Sequence, residues 1–430
     1  MRICIWTAAV VAIAALPRAA VHAQSATTQA TSDSAKLQGT VAEPSHQPVA
    51  HQPVVPRGAS PKKEAWYDKI SLRGYAQVRY NRLLETNKDY TCPQCDKSIG
   101  DNGGIFLRRA RLVFSGDVSK RVSIYIQPDY ASDAAGSLHY LQIKDAYFDL
   151  WLDGKKEHRI RIGQSKIPFG FENLQSSSNR LPLDRNDGLN SGTANERDMG
   201  ALYYWAPTSV RRTLKMLTDS GLKGTGDYGL IGLGVFNGQT ANKPEANNSL
   251  HKVARITYPF RLPNGQFVEM GVSGYTGRFV LTSQTAGVQA NPEYKDERVA
   301  LSFLMYAQPL GLEAEWNWGT GPSYDLATRS VASKSLQGGF LQSMYRWRRQ
   351  GQVVQPFVRW QYYAGGKKLE LDARRYEVHE LEGGIEWLPT SALELTVDYV
   401  RGNRVTADGA SLLLNRQKGG FLRLQAQVNY

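Results

Sequence analysis

Cysteine, histidine and long apolar runs are all scarce in this sequence. Three cysteines and seven histidines occur among 430 residues, which argues against a disulfide-rich scaffold and against a cysteine-histidine metal protein. The apolar run from Ile3 to Leu16 is shorter than the ~18 residues that a membrane-spanning helix needs. The sequence therefore predicts no transmembrane helix, no bound metal and no cofactor.

The start of the chain has the pattern of an export signal. Arg2 gives a short basic start, the apolar run follows, and Val21-His22-Ala23 offers small residues at the cleavage position. We expect a signal peptide over residues 1–23, with an N-terminal membrane anchor as the alternative. An exported chain without membrane helices is either a soluble periplasmic or secreted protein or a β-barrel, because only helices and closed barrels span a bilayer.

The charge balance is basic. The formal charge is +13, and it falls to +11 when residues 1–23, with Arg2 and Arg18, are removed. Such a balance suits nucleic acid, an anionic lipid surface or an anionic solute. Export argues against nucleic acid, so we expect outer-membrane lipid and small polar or anionic solutes as partners.

Cys92 and Cys95 form a Cys-Pro-Gln-Cys sequence in a polar segment. In a cytosolic protein this spacing would suggest redox or metal chemistry. In an exported chain without a second cysteine pair we favour a local disulfide, and the other two alternatives stay open.

Strict alternation of apolar and polar residues begins after a polar segment. Residues 24–65 are rich in Ala, Ser, Thr, Gln and Pro and are expected to form a disordered periplasmic linker. From Ile70 to Tyr80, and again from Leu422 to Tyr430, apolar side chains recur at every second position. A period of two is typical of membrane strands with one face in lipid and the other in water. We therefore assign residues 66–430 to a transmembrane β-barrel.

About sixteen segments follow this pattern, which predicts an all-β fold, an antiparallel barrel of about 16 strands. Their approximate spans are 69–82, 106–117, 121–130, 140–152, 158–166, 198–206, 227–236, 250–260, 266–276, 297–307, 310–319, 338–349, 352–363, 376–388, 393–402 and 419–430. Short turns at 117–120, 153–157, 262–265, 308–309 and 349–351 alternate with long polar loops around 83–105, 167–197, 237–249, 277–296, 320–337, 364–375 and 403–418. Short periplasmic turns and long extracellular loops would produce this alternation. Residues 207–226 break it, and predict either a long turn with a little helix or an error in the strand count.

Aromatic residues cluster near the segment ends. They are Tyr80, Tyr130, Trp151, Tyr203, Tyr204, Trp205, Trp316, Trp318, Trp360, Tyr362, Tyr363 and Trp387. We expect them to form girdles at the two membrane interfaces, with core or pore-facing positions as the alternative.

The strand faces opposite to the apolar ones are expected to line the lumen. On the early strands that face is basic, with the candidate pore-lining residues Arg73, Arg79, Arg109, Arg111, Arg159, Arg161 and Lys166. On later strands it is largely acidic, with Glu313, Glu315, Glu382, Glu386, Glu394 and Asp398. A basic zone attracts anions by electrostatic focusing. The alternative is that each arginine neutralises a neighbouring acid such as Asp129, Asp145 or Asp149.

Four stretches resemble one family of outer-membrane proteins. The segment Arg161-Ile-Gly-Gln-Ser-Lys-Ile-Pro-Phe-Gly-Phe-Glu172, with Ser176-Ser177 after it, resembles the signature of the phosphate-selective porin O and P family. Ile70–Tyr80, Arg108–Arg111 and Tyr228–Gly238 resemble further strands of that family. The resemblance covers about residues 66–430 and implies a sixteen-stranded porin, usually a homotrimer.

In sixteen-stranded porins the third long loop commonly folds inward and narrows the pore. By our count the loop 167–197 is the third one here, so Arg180, Arg185 and Arg197 would face the constriction. The alternative is an outward loop whose charges are solvated.

These features together predict a water-filled channel in the bacterial outer membrane, for passive diffusion of small hydrophilic solutes, including anions such as phosphate. The alternative is a plugged structural or adhesive barrel without solute transport. None of His139, His158, His251 and His379 stands beside a serine in a recognisable motif, so we expect no enzyme and assign no catalytic residue.

Overall fold

The computed structural model describes residues 65–84, 104–131, 140–191 and 197–430, which form a closed antiparallel β-barrel. The predicted signal peptide, the predicted linker up to residue 64 and the Cys92–Cys95 pair lie outside these ranges, so those assignments stay predictions. Among the described residues, no helix has both the length and the apolar character needed to cross a membrane.

A single sheet of 17 strands forms the wall. The strands are β1 (Ile70–Leu83), β2 (Gly104–Asp117), β3 (Val122–Ala131), β4 (Tyr140–Trp151), β5 (His158–Lys166), β6 (Arg197–Trp205), β7 (Ile231–Phe236), β8 (His251–Arg261), β9 (Phe267–Phe279), β10 (Tyr294–Met305), β11 (Leu310–Asp325), β12 (Ser330–Tyr345), β13 (Trp347–Arg349), β14 (Gln352–Gly366), β15 (Arg375–Leu388), β16 (Leu393–Ala407) and β17 (Asn415–Asn429). The helices are α1 (Phe171–Leu174), α2 (Asp187–Asn190) and α3 (Thr208–Asp219), with 3-10 turns at Trp66–Lys69 and Leu371–Ala373.

Two of these strands, β12 and β13, occupy a single strand position in the barrel wall. We call each such position a stave. Both β12 and β13 pair with β14, and only Arg346 separates them. The barrel therefore has sixteen staves, and each of the sixteen predicted segments overlaps one of them. The predicted fold class is confirmed.

The barrel closes where the last strand meets the first. β1 pairs with both β2 and β17, and Gly74 exchanges backbone hydrogen bonds with Tyr430, at 2.7 Å and 3.0 Å. A Cβ atom at Gly74 would lie 2.6 Å from the Tyr430 ring and 2.3 Å from the Arg111 carbonyl oxygen. The first strand therefore needs glycine at this position so that the terminal aromatic ring can cross it.

Two connections bear on the predicted loop lengths. At 320–337 the structure contradicts the predicted long loop, and at 207–226 it decides between the two alternatives. The predicted long loop 320–337 is wrong, because β11 continues to Asp325 and β12 starts at Ser330, leaving a turn at 326–329. The alternating pattern was interrupted there by Gly and Ser residues that still pair in register. For residues 207–226 the helical alternative is correct, since α3 lies there and the strand count does not slip.

Side chains alternate between the two faces as a barrel wall requires. Along β8 the inward residues His251, Val253, Arg255 and Thr257 are buried, and the intervening ones are exposed. Among the predicted girdle aromatics, Tyr130, Trp318, Trp360 and Trp387 are exposed on the outer surface. Trp151, Tyr204 and Tyr363 are buried instead, so the girdle prediction is wrong for these three, whose position in the strand puts them on the inward face.

Candidate functional site: the barrel lumen and the segments that narrow it

Residues 167–191, the described part of the connection between β5 and β6, lie inside the barrel. The Ser177 carbonyl accepts a hydrogen bond from Gln77 Nε2 on β1 at 3.2 Å. The Gly188 carbonyl accepts one from Arg298 Nη1 on β10 at 3.1 Å. Contacts with such widely separated strands place the segment across the lumen, so the inward loop implied by the family resemblance is present. We call residues 167–191 the inner loop.

A tight turn at Gly170 directs the inner loop inward. Gly170 has a φ of +75°, which residues with a side chain rarely adopt, and its N–H donates to Ser273 Oγ at 2.9 Å. A Cβ atom here would lie 2.7 Å from Leu189 Cδ1 and 2.8 Å from Glu315 Oε1. The Glu315 carboxylate accepts the backbone N–H groups of Phe171 and Glu172. The Pro-Phe-Gly-Phe-Glu segment of the sequence motif is thus the turn that starts the constriction.

Asp184 anchors the inner loop to one side of the wall. Its carboxylate lies 3.1 Å from Arg79 Nη1 and 2.6 Å from Arg423 Nη1, and Arg108 Nη2 approaches to 3.3 Å. Burial alone would raise the pKa of Asp184, but Arg79, Arg423 and Arg108 hold that pKa well below its usual range. The carboxylate is therefore a permanent anion that ties the loop to β1, β2 and β17.

Two further loop carboxylates extend this attachment. Asp187 pairs with Lys367 at 2.7 Å and with Arg404 at 2.8 Å. Glu172 pairs with Arg359 at 2.9 Å and accepts the Asn186 N–H at 2.9 Å. The carboxylates of the inner loop therefore face β14, β16 and the 367–374 connection.

The acidic wall predicted from the later strands lies on the inward face, and cations neutralise part of it. Glu382 pairs with Arg423 at 2.6 Å and with Arg359, and Asp398 pairs with Arg423 at 2.7 Å. Glu386 pairs with Lys223 at 2.6 Å. These three carboxylates hold the inner loop and its neighbours in place. Glu313, Glu315 and Glu394 are buried as well, and among the described residues none of them has a cation within ion-pair distance.

A second segment, residues 206–230, narrows the lumen from the end of the barrel that carries the β4–β5 turn. At the start of α3, the Thr208 N–H and hydroxyl donate to Glu157 Oε1 at 2.8 Å and 2.6 Å. Just after α3, the Ser220 carbonyl accepts hydrogen bonds from Arg346 and Arg348, at 2.6 Å and 2.8 Å. Glu157 lies in the turn between β4 and β5, and Arg346 lies between β12 and β13. These positions are far apart around the barrel, so the helix crosses its mouth. We call residues 206–230 the mouth segment.

The mouth segment and the inner loop meet inside the barrel. The carbonyl oxygens of Lys223 and Gly224 accept hydrogen bonds from Gln175 Nε2 at 2.6 Å and Asn179 Nδ2 at 2.9 Å. Leu217 and Leu222 pack in one buried cluster with Phe171 of the inner loop. Sequence reasoning expected only one inward segment, and the lumen is in fact narrowed by two.

Most of the predicted pore-lining cations are paired with neighbouring groups. Arg111 pairs with Asp129 at 2.9 Å, Arg161 with Asp149 at 2.8 Å, Arg197 with Asp145 at 2.8 Å and Arg159 with Asp227 at 3.3 Å. Lys166 donates to the Leu174 and Gln175 carbonyls at 3.0 Å and 2.7 Å, and Arg79 binds Asp184 as described. Arg73 is exposed near the end of β1. For Arg111, Arg161 and Arg197, the alternative that they neutralise Asp129, Asp149 and Asp145 describes the geometry.

Arg109, Arg180 and Arg185 have a different environment. All three are buried. Within the described part of the chain, no carboxylate lies within ion-pair distance of Arg109 or Arg180, and Arg109 donates to Gln77 Oε1 at 2.9 Å. The Nε and Nη1 atoms of Arg180 have no hydrogen-bond partner there.

Lys144 is a further buried cation without an ion-pair partner among the described residues, and its inward position was not predicted from the sequence. The pairing of β3 with β4 shifts between Gln127 and Pro128, because Gln127 faces Asp145 whereas Pro128 faces Ile143. Lys144 is the extra residue of this bulge, so it is buried next to the equally buried Asp145 and breaks the simple alternation. The proline inside a strand was the available signal, since proline within a sheet marks edges and bulges.

The two loop arginines lie close to other cations. Burial, and then the neighbouring Arg180, lower the pKa of the Arg185 guanidinium well below its ordinary value, and Arg109 and Arg197 act in the same direction. Burial also lowers the pKa of Arg180. Arginine nevertheless stays charged near neutral pH, so this part of the lumen is suited to stabilise an anion.

Comparisons with known proteins agree with this architecture. A profile of the family described as phosphate-selective porin O and P matches residues 84–430, and the resembling first strand at 70–80 lies ahead of that range. No curated protein matches the chain significantly.

Solved structures with a similar fold include three outer-membrane channels. The outer membrane channel DcaP of Acinetobacter baumannii is 14% identical with a TM-score of 0.53, over 84% of this chain and 97% of that one. OmpF of Salmonella typhi, in complex with daunomycin, is 13% identical with a TM-score of 0.53, over 85% and 98%. An anion-selective porin from Comamonas acidovorans is 11% identical with a TM-score of 0.50, over 84% and 99%. At these identities the similarity shows the fold.

Proposed function

The chain belongs to the phosphate-selective porin O and P family, and we propose that anions cross its lumen along a basic path formed by Arg109, Lys144, Arg180 and Arg185. The protein is an outer-membrane channel for passive diffusion of small hydrophilic solutes, a channel rather than an enzyme. Phosphate is the anion suggested by the family. The choice of anions over cations, and of these four residues, is the part we propose.

The sorting of charges inside the barrel supports the proposal. Several carboxylates of the inner loop and of the later strands, among them Asp184, Glu172 and Asp398, are paired with arginines. Arg109 on β2 and Lys144 on β4 have no carboxylate within ion-pair distance among the described residues. Burial and Arg180 lower the pKa of Arg185, and Arg109 on β2 and Arg197 on β6 lower it further, while Glu172 raises it. The proximity of these cations supports a role for Arg185 in the basic path.

The physical effect is a positive potential in a narrow, low-dielectric passage. Charges that line a cleft with such walls focus the field and raise the local concentration of ions of opposite sign. Arginine offers a planar fork of donors for phosphate, and lysine a compact point charge. Conduction requires sites that bind an anion weakly enough to release it, and a short series of separate cations fulfils that need.

The nine predicted pore-lining residues thus divide into three groups in this proposal. Arg109, Arg180 and Arg185 contribute to the basic path, together with Lys144. The other predicted residues, Arg79, Arg111, Arg159, Arg161 and Lys166, hold the wall and inner loop together, and Arg73 lies at the rim.

Conductance in a planar lipid bilayer tests the basic path. With a salt gradient across the membrane, the wild-type channel should show discrete open steps and a reversal potential that indicates anion preference. Phosphate added on one side should reduce the current. Arg180→Gln and Lys144→Gln should each lower the anion preference, and the double variant should lower it further, because each change removes one uncompensated charge.

Lys295→Gln is the matched control, since Lys295 is an exposed lysine next to Glu297 on the outer surface. It should leave selectivity unchanged. Equal anion preference in the wild type and in the Arg180→Gln/Lys144→Gln variant would contradict the basic path. A folded protein without open steps would favour the plugged barrel.

We also propose a homotrimer, the usual assembly in this family. Native mass spectrometry of the protein extracted in mild detergent should give the mass of three chains. A mass of one chain under conditions in which the barrel remains folded would contradict the trimer without affecting the basic path.

A further inference from the structure

A group of cations lies on the outer surface of the barrel, away from the lumen. Arg375 and His379 on β15, Arg401 on β16, and Arg416 and Lys418 on β17 are all exposed. They lie at the end of these strands that borders the 367–374 and 408–414 connections. We call these five residues the outer cationic patch.

Strand register sets the spacing of the patch residues on β15, β16 and β17. Arg416 lies opposite Val405, which lies opposite Glu377. In the next outward row, Lys418 lies opposite Asn403, which lies opposite His379. Neighbouring strands are about 4.8 Å apart and successive rows on one face about 7 Å apart, so the backbones of Arg416, Lys418 and His379 lie within about 12 Å of one another. These three residues and Arg375 line one depression on the surface.

Apolar rows follow directly along the same strands. Beyond the row of Leu381, Arg401 and Gly420, the outward residues are Tyr399, Leu422, Ile385, Val397, Leu424, Trp387, Leu395 and Ala426. An outward apolar band of this kind is the part of a barrel that contacts lipid tails. The outer cationic patch therefore lies where the apolar band ends, at the level of lipid headgroups.

Among the described residues, three cations of the patch have no acidic partner. Within the described part of the chain, no carboxylate lies within ion-pair distance of Arg375, Arg416 or Lys418, and Glu377 contacts His379 at 3.4 Å. Other outward cations at this end of the barrel have acidic partners: Arg278 with Glu293, Lys295 with Glu297 and Lys334 with Asp325. A depression of about 550 Å³, lined in part by Arg375, His379, Arg416 and Lys418, lies on the surface here. The Lys334–Asp325 pair and Glu377 line it too, so its basic side chains still outnumber its carboxylates.

We propose that the outer cationic patch binds the phosphate groups of an anionic lipid in the adjoining membrane leaflet. Arginine donates to two phosphate oxygens at once and lysine adds a point charge. The lipid tails would lie along the apolar rows while the headgroup occupies the depression. This arrangement selects a phosphorylated lipid over free phosphate, because only the lipid contacts both surfaces.

Lipid retention measured by native mass spectrometry tests this site. The purified protein in detergent micelles is mixed with a bis-phosphorylated glucosamine-disaccharide lipid or with the same lipid after removal of its phosphates. The wild type should retain the phosphorylated lipid at least tenfold more strongly than the dephosphorylated one. The variant Arg375→Gln/Arg416→Gln/Lys418→Gln should lose at least tenfold in retention.

Two further variants separate the site from general charge and folding effects. Arg278→Gln/Lys295→Gln removes exposed cations from β9 and β10 and should retain the lipid as the wild type does. Arg375→Lys/Arg416→Lys keeps the charge and should retain most of the binding. The unheated gel mobility of each variant shows whether its barrel is folded.

Three outcomes would overturn the proposal. The first is equal retention by the folded triple variant and the wild type, and the second is loss of the lipid on addition of an equal concentration of inorganic phosphate. The third is a change in the number of associated chains in the triple variant with unchanged lipid retention, which would make the patch a contact between copies.

Discussion

Single residues decide where the inner loop lies. Asp184 has three guanidinium groups within 3.3 Å, from β1, β2 and β17, and Gly170 provides the positive φ with which the loop leaves β5. A buried carboxylate among arginines is costly to break, because removal of one partner leaves uncompensated charges. The constriction is therefore held by a few specific side chains rather than by the length of the loop.

The stability of the barrel should depend on Asp184 only at low pH. The pKa of Asp184 is lowered in the folded state, so its ion pairs contribute stability that is fully present above the pKa of an unfolded aspartate, about 3.9, and is lost as the pH falls below that value. Stability can be measured by heating samples before gel electrophoresis and recording the temperature at which the band of folded protein disappears. Asp184 should cause no change in this temperature between pH 7 and about pH 5.

Asp184→Asn is the comparison for this pH dependence. The variant should be less stable than the wild type at pH 7 by on the order of 3 kcal/mol. The difference should shrink below about pH 4, where Asp184 of the unfolded wild-type chain begins to bind a proton while the folded protein still keeps the carboxylate charged. A difference that stays constant down to pH 2 would contradict this account.

Gly170→Ala should displace the start of the inner loop. The added Cβ would require a strained backbone, at about 1–3 kcal/mol, and would overlap Leu189 and Glu315. Compared with the wild type, we expect the folded band to disappear at a lower temperature in gel electrophoresis. We also expect a larger or noisier single-channel current. Gly154→Ala is the control, because a Cβ there meets no atom within 4 Å; equal behaviour of the two variants would refute the structural role of Gly170.

At the scale of elements, α3 closes part of one barrel mouth. The helix has an apolar side formed by Val210, Leu214 and Leu217, at the spacing that places residues on one face. Leu217 packs against the inner loop, and the segment after the helix carries Lys223 into contact with Glu386 on β15. The mouth segment and the inner loop thus support each other, and a change in one should be felt at the other.

Lys223→Gln should loosen the mouth segment. The change leaves the buried carboxylate of Glu386 without its cation, which typically costs about 3 kcal/mol or more, and removes one tie across the barrel. Single-channel recording should show a larger mean conductance and more frequent transitions between levels.

Lys215→Gln on the outer side of the same helix provides the control, since its pair with Asp219 is exposed and surface pairs contribute little. Its conductance should equal that of the wild type. A Glu386→Gln variant should reproduce the effect of Lys223→Gln, and the double variant should add little, because both changes break the same pair. Full additivity would show that Lys223 acts through another group.

For the whole molecule, closure of the sheet is the decisive step. A barrel has no exposed strand edges only when its first and last strands pair, and here β1 and β17 pair from Tyr75 to Leu83. Tyr430 completes that seam by its backbone hydrogen bonds to Gly74 and by its ring.

Tyr430→Ala should weaken closure of the barrel. The variant loses the ring over Gly74 and the hydroxyl contact to the Arg111 carbonyl at 3.3 Å. We expect slower appearance of the folded gel band in lipid vesicles and a conversion temperature lower by several degrees. Tyr345→Ala removes a comparably exposed tyrosine from β12, away from the seam, and an equal loss in that variant would contradict a special role for the C-terminal residue.

The sequence by itself determined the architecture of this protein. Alternation at every second residue predicts each stave of the wall, because a barrel strand must present one face to lipid and the other to the interior. Local patterns such as Ile70 to Tyr80 contain this information in full. The Pro-Phe-Gly-Phe-Glu motif likewise marked the loop that turns inward.

The tertiary structure alone decided which charges are available to a solute. Alternation places Arg161 and Arg109 on the same inward face, but only the register shows that Arg161 is paired with Asp149 whereas Arg109 is not. The bulge at Pro128 brought Lys144 inside, and α3 closed a mouth that the strand pattern leaves open. Pairing between charges depends on distances of a few ångströms across the barrel, and such distances between residues far apart in sequence are set only when the sheet closes.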